Sequence, residues 1–262
     1  MIRQGEGTPL VLFHGVLGSE TMWQRVVPLL APHHDTIALT ALGHHGGDAA
    51  TRRPARIEHV IDDAERLLDR LGFAKAHLAG NSMGGWMALE LARRGRALSV
   101  CALSPAGCWP GGGDGTHASH AVQGLRATIR LTRRGRWTLP VAARVGALRQ
   151  WIMRLNALHG DRLTAAELMK LADDVLGCAI GEDLLSTDEA LGSLDPLPCP
   201  VTIAWSAADR VLPLASNGAR AKELVPGARF LVLEDVGHVP MLDAPALVAS
   251  TILESTGARG QA

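Results

Sequence analysis

A serine between two glycines lies where a predicted strand gives way to a predicted helix. The segment Gly80-Asn-Ser-Met-Gly84 follows an apolar strand pattern and precedes a helical pattern. A tight strand-to-helix turn strains the backbone of its central residue, so the neighbours two positions away must be small. Gly80 and Gly84 fill those positions. The pattern predicts a nucleophile elbow that exposes Ser82 at the carboxyl end of a sheet.

A serine hydroxyl needs a general base, and sequence position must select it from 11 histidines. His238 lies just after the last predicted strand, and Asp209 lies in the loop after the strand before it. Both positions fall at the carboxyl end of a parallel sheet, beside Ser82. We therefore predict that His238 is the base and that Asp209 orients it. The competing carboxylates are Asp195, which precedes its strand, and the neighbours Glu234 and Asp235.

An acyl-transfer site also needs two N–H donors for the developing oxyanion. Met83 follows the serine at a predicted helix N-terminus, where its backbone N–H can donate to an anion. The loop after the first predicted strand begins His14-Gly-Val16, and Gly15 permits an unusual backbone there. We predict that Val16 and Met83 supply the two donors, and we interpret His14 as a scaffold residue rather than a second base.

Six short apolar runs alternate with helical patterns over most of the chain. Continuous apolar runs of this length are typical of strands buried on both faces of a parallel sheet. Helical periodicity follows several of them, as in residues 57–71, 83–93 and 243–253. The alternation predicts an α/β fold with a mostly parallel, doubly wound sheet. The predicted strands are 10–13, 36–39, 76–79, 99–103, 201–205 and 230–233.

The alternation stops between about residues 107 and 194, where only helical patterns occur. We predict a core from residues 1–107 and 195–262, with residues 108–194 forming a helical cap whose helices cover 118–132, 141–158 and 164–176. A glycine-rich turn opens the cap and a proline-rich segment closes it. From Gly115 to Gly160 it carries eight arginines and no acidic residue. The favoured interpretation is that the cap complements an acidic core surface; an anionic substrate or an anionic membrane stays open.

The 262-residue chain has 26 basic and 26 acidic side chains, and 47% of its residues are hydrophobic. This composition predicts a folded globular chain, and its balanced charge does not indicate nucleic-acid binding. No apolar run is long enough for a transmembrane helix, and the polar first residues do not resemble a secretory signal. We expect a cytoplasmic protein, and leave open whether it forms a homodimer.

With these residues assembled, the chain resembles the serine hydrolases of the α/β-hydrolase fold. The oxyanion loop, elbow, cap, acid loop and histidine loop occur in the family's order over nearly the whole chain, and Ser19-Glu-Thr-Met-Trp23 is also typical of the family. Two features depart from the pattern. Only about nine residues precede the first predicted strand, so we expect the family's N-terminal hairpin to be shortened or missing. The turn after the second strand reads Thr40-Ala-Leu-Gly-His-His-Gly-Gly47.

The resemblance also narrows the chemistry. Relatives that act on haloalkanes and epoxides use an aspartate nucleophile, and the epoxide hydrolases add cap tyrosines, whereas this chain has Ser82 and no tyrosine. The hydrolases of meta-cleavage products share Gly80-Asn-Ser-Met-Gly-Gly85, but they carry tryptophan where this chain has Val239. Cleavage of an ester, lactone or thioester is therefore the favoured hypothesis for the function, and C–C bond hydrolysis is the second. A non-catalytic ligand-binding protein is the alternative from another functional class.

The resemblance implies an acyl-enzyme mechanism without a metal or an organic cofactor, and a small, largely apolar acyl substrate. The cap contains apolar side chains that suit the lining of an acyl pocket. An alternative interpretation is that they only pack the cap against the core. The candidates are Trp109, Trp137, Trp151 and Met153.

Overall fold

A computed structural model describes residues 1–110 and 119–258 of the chain, with side chains from residue 122 onward after the gap. Seven strands form one sheet in the order β1-β3-β2-β4-β5-β6-β7. All neighbours are parallel except β1 and β3, which are antiparallel. The strands are β1 (Ile2–Gln4), β2 (Pro9–Phe13), β3 (Asp35–Leu39), β4 (Ala76–Asn81), β5 (Ala97–Leu103), β6 (Val201–Ser206) and β7 (Arg229–Leu233).

The predicted fold class is confirmed, and one strand was missed. Strand β1 extends the sheet with an antiparallel edge that begins at residue 2. Its three residues are polar or only half-buried, so they carry no apolar run from which to predict a strand. The edge is held in part by Arg3, which forms two hydrogen bonds with the Asp35 carboxylate.

Two layers of helices cover the sheet, because alternate side chains of each strand point to opposite faces. In β2, Val11 packs in one apolar cluster and Leu12 in the other. The first face is covered by α2 (Ile57–Arg70), α3 (Met83–Arg93) and α9 (Ala219–Leu224), and the second by α1 (Val27–Leu30) and α11 (Pro245–Thr256). The short α10 (Pro240–Asp243) follows the histidine loop. The sheet is therefore doubly wound, with its strand ends free to carry a site.

Residues 108–194, between β5 and β6, form the segment that we call the cap, and its described part contains five α-helices. The glycine-rich turn predicted at its start lies largely outside the described residues. Residues 141–158, predicted as one helix, form two short helices, since the chain is extended at Val145 before Gly146. No helix in the described part of the chain is long and apolar enough to cross a bilayer. The cap helices are α4 (Ser119–Gly135), α5 (Leu139–Ala142), α6 (Gly146–Met153), α7 (Ala165–Gly177) and α8 (Gly181–Leu185).

The cap arginines do not complement an acidic core surface, so the favoured interpretation of their charge was wrong. Of the arginines within residues 122–160, only Arg126 forms an ion pair with a described carboxylate. Its partner is Glu182, which belongs to the cap itself. Arginines 130, 133, 134, 136 and 144 are exposed. The positive charge of the cap therefore faces solvent.

Candidate active site

The turn between β4 and α3 holds Ser82 in a left-handed conformation, with φ 55° and ψ −117°. Its backbone N–H donates to the Leu103 carbonyl at 2.9 Å, and its own carbonyl accepts from Ala106 at 3.0 Å. A Cβ on Gly80 would lie 2.2 Å from the Gly84 carbonyl oxygen, so only glycine fits there. The neighbouring strand thus fixes the strained turn, and the small residues make it sterically possible.

The predicted acid and base lie in direct contact. His238 Nδ1 donates to Asp209 Oδ2 at 2.7 Å, and both residues are buried. The other oxygen of Asp209 accepts the backbone N–H groups of Val211 at 2.9 Å and Leu212 at 2.7 Å. Three donors therefore converge on one carboxylate, which fixes the imidazole with Nε2 free to accept a proton.

Asn81 connects the elbow to the histidine loop, a role that the sequence did not reveal. Its Nδ2 donates to the His238 carbonyl at 2.8 Å and to the Leu103 carbonyl at 3.2 Å. Asp243 holds the same loop from the other side, because it accepts the Gly237 N–H at 2.7 Å. The position of Asn81 directly before the serine could have drawn attention to it. Only the fold shows that its side chain reaches the histidine loop.

Ser82 and His238 line one cavity of about 100 Å³, together with Gly15, Val16 and Asn81. Among the described residues no hydrogen bond joins the Ser82 hydroxyl to the His238 ring, as is common where no substrate aligns the two. A second cavity of about 80 Å³ also contains Val16 and Ser82. The other side chains of the first cavity are mostly apolar: Leu17, Met22, Leu125, Leu139, Ile152, Met153, Leu168, Leu171, Ala172, Val175, Val239 and Leu242.

The four predicted pocket residues are dispersed. Met153 lines the first cavity and Trp109 the second, where its indole N–H donates to the Glu189 carbonyl at 3.0 Å. Trp151 borders a separate surface groove. Trp137 is 90% exposed and lines none of these spaces, so the structure does not place it in the pocket.

The loop after β2 runs beside the serine. Gly15 approaches so closely that a Cβ there would lie 3.3 Å from Ser82 Cβ. His14 Nδ1 donates to the Gly15 carbonyl at 2.7 Å, and its Nε2 accepts the Ala41 N–H at 3.0 Å. These two bonds require the neutral ring. The Val16 N–H donates to no backbone carbonyl among the described residues, and Met83 begins α3, so both N–H groups are free for an oxyanion.

His14 and His44 make stability depend on pH. Their rings meet edge to face at 4.9 Å, and both are fully buried. Burial lowers the pKa of His14 to about 4 and that of His44 to about 3. Below about pH 6.5, these two histidines therefore bind protons in the unfolded chain but stay neutral in the folded chain until the pH is much lower.

We expect the free energy of unfolding to fall from pH 6.5 toward pH 4, by up to about 1 kcal/mol per pH unit for each of the two histidines. Urea titrations across this range measure the slope. His44→Leu removes one titrating ring, so its slope should be shallower than that of the wild type. His33→Leu, an exposed control, should change the slope less than His44→Leu does. Equal slopes for His44→Leu and the wild type would contradict this assignment.

Asp174, on cap helix α7, is fully buried against the segment that follows the oxyanion loop. It accepts hydrogen bonds from Ser19 at 2.6 Å, Thr21 at 3.0 Å and Lys170 at 2.6 Å. Burial alone raises the pKa of Asp174, but the bonds from Lys170, Ser19 and His45 more than reverse this and hold the pKa below its usual value. A charged group thus joins the cap to the loop beside Ser82.

Asp174→Ala should lower the free energy of unfolding by about 2 kcal/mol or more, because it leaves buried hydroxyls without an acceptor. Chemical denaturation gives the value directly. Asp173→Ala, on the same helix, removes a carboxylate without a hydrogen-bond partner among the described residues and should change stability by less than about 0.5 kcal/mol. Similar losses in the two variants would show that helix α7, rather than this contact, is responsible.

Comparisons with known proteins agree with this architecture. The model of the alpha/beta hydrolase family matches residues 10–251. The chain is 32% identical over 211 residues to the epoxide hydrolase EphH of Mycobacterium tuberculosis, covering 74% of this chain and 91% of that protein. It is 29% identical over 253 residues to the dihydrolipoyllysine-residue acetyltransferase component of the acetoin cleaving system of Pseudomonas putida, covering 94% of this chain and 63% of that protein.

Two solved structures share the fold at low identity. An esterase from Thermogutta terrifontis superposes with a TM-score of 0.71 at 23% identity, covering 97% of this chain and 90% of that one. The enol-lactonase from Burkholderia xenovorans LB400 gives 0.70 at 19% identity, covering 98% and 95%. The family model and the sequence relatives carry the assignment beyond the fold alone. The chain therefore belongs to the alpha/beta hydrolase family, and hydrolysis is the class of activity that this membership supports.

Proposed function

We propose that the protein is a serine hydrolase that cleaves a carboxylic ester, lactone or thioester. The observation that carries the proposal is the 2.7 Å bond between His238 Nδ1 and Asp209 Oδ2, beside a cavity shared by His238 and Ser82. A carboxylate that accepts the Nδ1 proton selects, in the neutral ring, the tautomer whose Nε2 can accept a proton, as a general base requires. The strained backbone of Ser82 presents its hydroxyl to the same space.

In the proposed reaction, His238 Nε2 takes the hydroxyl proton while Ser82 Oγ bonds to the carbonyl carbon. The N–H groups of Val16 and Met83 donate to the oxyanion. As the tetrahedral intermediate collapses, the leaving group takes the proton from His238 and the acyl-enzyme remains. A water molecule then attacks the acyl carbon, with His238 again as the base, and the acid product and free serine are released.

A serine nucleophile favours acyl transfer over opening of an epoxide ring. Attack of Ser82 on an epoxide carbon would form an alkyl ether, which has no carbonyl carbon for water to attack. The enzyme would then be modified once and would not turn over. The chain also has no tyrosine to protonate the opening ring. We therefore propose ester-type chemistry although one relative is named an epoxide hydrolase.

The two cavities that meet at Ser82 suit the two halves of a small apolar substrate. The larger lies beside His238 and Gly15, and the smaller lies beside Met83 and Trp109. No lysine, arginine, aspartate or glutamate lines either of them among the described residues. Recognition would therefore depend on shape and on burial of apolar surface.

A fluorophosphonate probe tests the nucleophile directly. It should add its mass to the peptide that contains Ser82, and Ser82→Ala should not be labelled. A panel of p-nitrophenyl esters of increasing acyl length, with a lactone and a thioester, then measures turnover. If the protein shows no labelling and no turnover, the serine hydrolase proposal is refuted and a ligand-binding protein is favoured.

C–C bond hydrolysis is the second candidate, because the elbow string from Gly80 to Gly85 also occurs in the hydrolases of meta-cleavage products. A vinylogous diketone added to the same panel discriminates the two. Turnover of the diketone without turnover of the esters would replace the ester proposal. Styrene oxide, as an epoxide arm, should not be turned over.

A further inference from the structure

Exposed apolar side chains are concentrated in one part of the cap. Eleven large apolar side chains of the described residues are exposed, and six of them lie between residues 131 and 151. Trp137 is 90% exposed and Trp151 is 57% exposed. Exposing two tryptophans to water is unfavourable for an isolated domain. This concentration of exposed apolar side chains therefore indicates a contact surface. The six are Leu131, Trp137, Val141, Val145, Leu148 and Trp151.

The same stretch carries exposed arginines that have no described carboxylate partner. Arginines 133, 134, 136 and 144 lie among the apolar residues, with no acidic residue between 115 and 160. Arginines of the core are different: Arg94 and Arg96, for example, each bind two carboxylates. Charge on the cap stretch is therefore available for an anionic partner.

A groove opens on this stretch and adjoins the cavity of Ser82. It has a volume of about 530 Å³, lies between helices α4, α5 and α6, and is bordered by Leu131 and Trp151. The guanidinium of Arg154 stacks on the Trp151 ring at 4.3 Å. Thr128, Thr132, Leu139 and Ile152 line both the groove and the cavity of Ser82. The groove and the cavity are thus neighbouring spaces that share part of their walls.

We propose that residues 130–154, which we call the cap face, dock on an anionic lipid bilayer. Tryptophan and arginine together suit the boundary between headgroups and acyl chains, where an apolar ring is buried and a cation meets phosphate. A second copy of the chain fits less well, because two cap faces of the same positive charge would repel each other. The bilayer satisfies both the apolar and the cationic parts of the face.

Binding of the whole chain to vesicles tests whether the arginines of the cap face bind anionic lipid. The vesicles are made of diether phosphatidylcholine, alone or with about 30% diether phosphatidylglycerol, so hydrolysis of the lipid cannot interfere. We expect binding to the anionic vesicles, and an approximately tenfold or larger loss in Arg133→Gln/Arg134→Gln/Arg136→Gln. The matched control removes three arginines elsewhere, at positions 52, 66 and 220, and should bind as the wild type does. Equal loss in the two triple variants would overturn the proposal.

Tryptophan fluorescence tests whether the exposed tryptophans of the cap face enter the acyl-chain region of the bilayer. Brominated acyl chains should quench the wild-type protein, and Trp137→Ser/Trp151→Ser should lose most of the quenching, because Trp23, Trp86 and Trp205 are buried. Leu29→Ser, an exposed apolar residue outside the cap, is the control. Unchanged quenching in the double variant would overturn the proposal.

Two further measurements separate the docking surface from the other proposals. Ser82→Ala should bind the vesicles as well as the wild type, so a failure of the hydrolase proposal leaves this test intact. Sedimentation velocity of the tryptophan variant detects the alternative occupant. A dimer that dissociates in this variant, with no binding of the wild type to vesicles, would assign the cap face to self-association and overturn the proposal.

Discussion

Asp209→Asn should lower kcat for a p-nitrophenyl ester by about 10⁴-fold while the protein stays folded. The carboxylate accepts three N–H donors, from His238, Val211 and Leu212. An asparagine side chain offers a single acceptor oxygen and brings two donors of its own. If its oxygen keeps the two backbone N–H groups, its NH₂ faces His238 Nδ1. The imidazole must then carry its proton on Nε2, and it cannot accept the serine proton.

The reverse orientation of the amide in Asp209→Asn would destabilise the folded protein more. Its oxygen would face His238, and its NH₂ would meet the N–H groups of Val211 and Leu212, which would leave buried donors unpaired. The tautomer change is therefore the preferred outcome. It has a signature besides rate: the proton signal of Nδ1–H in its hydrogen bond to Asp209 should disappear from the NMR spectrum of the variant.

Asp235→Asn is the matched control for this substitution. Asp235 lies only three residues before His238, yet it is largely exposed and pairs with His159 at 3.1 Å. Its φ of 57° is a conformation that asparagine tolerates well. We expect less than a twofold change in kcat, since the side chain does not contact the base. If Asp235→Asn were the damaging variant and Asp209→Asn the mild one, the roles of the two carboxylates would be exchanged.

The choice between these carboxylates shows what the sequence could predict. In a parallel α/β sheet, the loop at the carboxyl end of each strand can be located from apolar periodicity alone. Asp209 and His238 follow consecutive predicted strands at this end of the sheet, and the structure shows that these strands, β6 and β7, are neighbours. Separation along the chain is therefore no obstacle where the fold class fixes which ends meet.

Contacts between the cap and the core were not predictable in this way. Asp174 lies in a helical pattern that is separated from Ser19 by 155 residues, and no local pattern indicates which carboxylate will be buried. The exposure of Trp137 was missed for the same reason, because composition suggests burial and only packing decides it. Periodicity describes each cap helix by itself, whereas the site depends on how the helices meet.

Gly84→Ala should lower the free energy of unfolding by about 3 kcal/mol or more, as measured by urea titration. A Cβ at this position would lie 2.2 Å from the Phe13 carbonyl oxygen and 2.8 Å from that of His14. Both atoms belong to the backbone, so no side chain can rotate to make room. Either α3 or the end of β2 must move by about 1 Å, against the close packing of a buried helix and a central strand.

Graded controls separate this collision from a general cost of losing glycine. A Cβ on Gly85 would meet its nearest atoms at 3.1 Å, and one on Gly192 would meet only the end of the Arg93 side chain, at 3.7 Å. The losses should therefore rank Gly84→Ala above Gly85→Ala, with Gly192→Ala within about 0.5 kcal/mol of the wild type. A larger loss at Gly85 than at Gly84 would contradict the steric argument.

Any Gly84→Ala protein that folds should also lose activity. The strand end that must yield continues directly into the His14-Gly15-Val16 loop, and the helix that must yield begins next to Ser82. The oxyanion donors and the nucleophile would therefore separate by about the same 1 Å, a misplacement that typically costs about 100-fold in rate. A folded variant that retained the wild-type kcat would show that the elbow and the oxyanion loop do not act as one rigid unit.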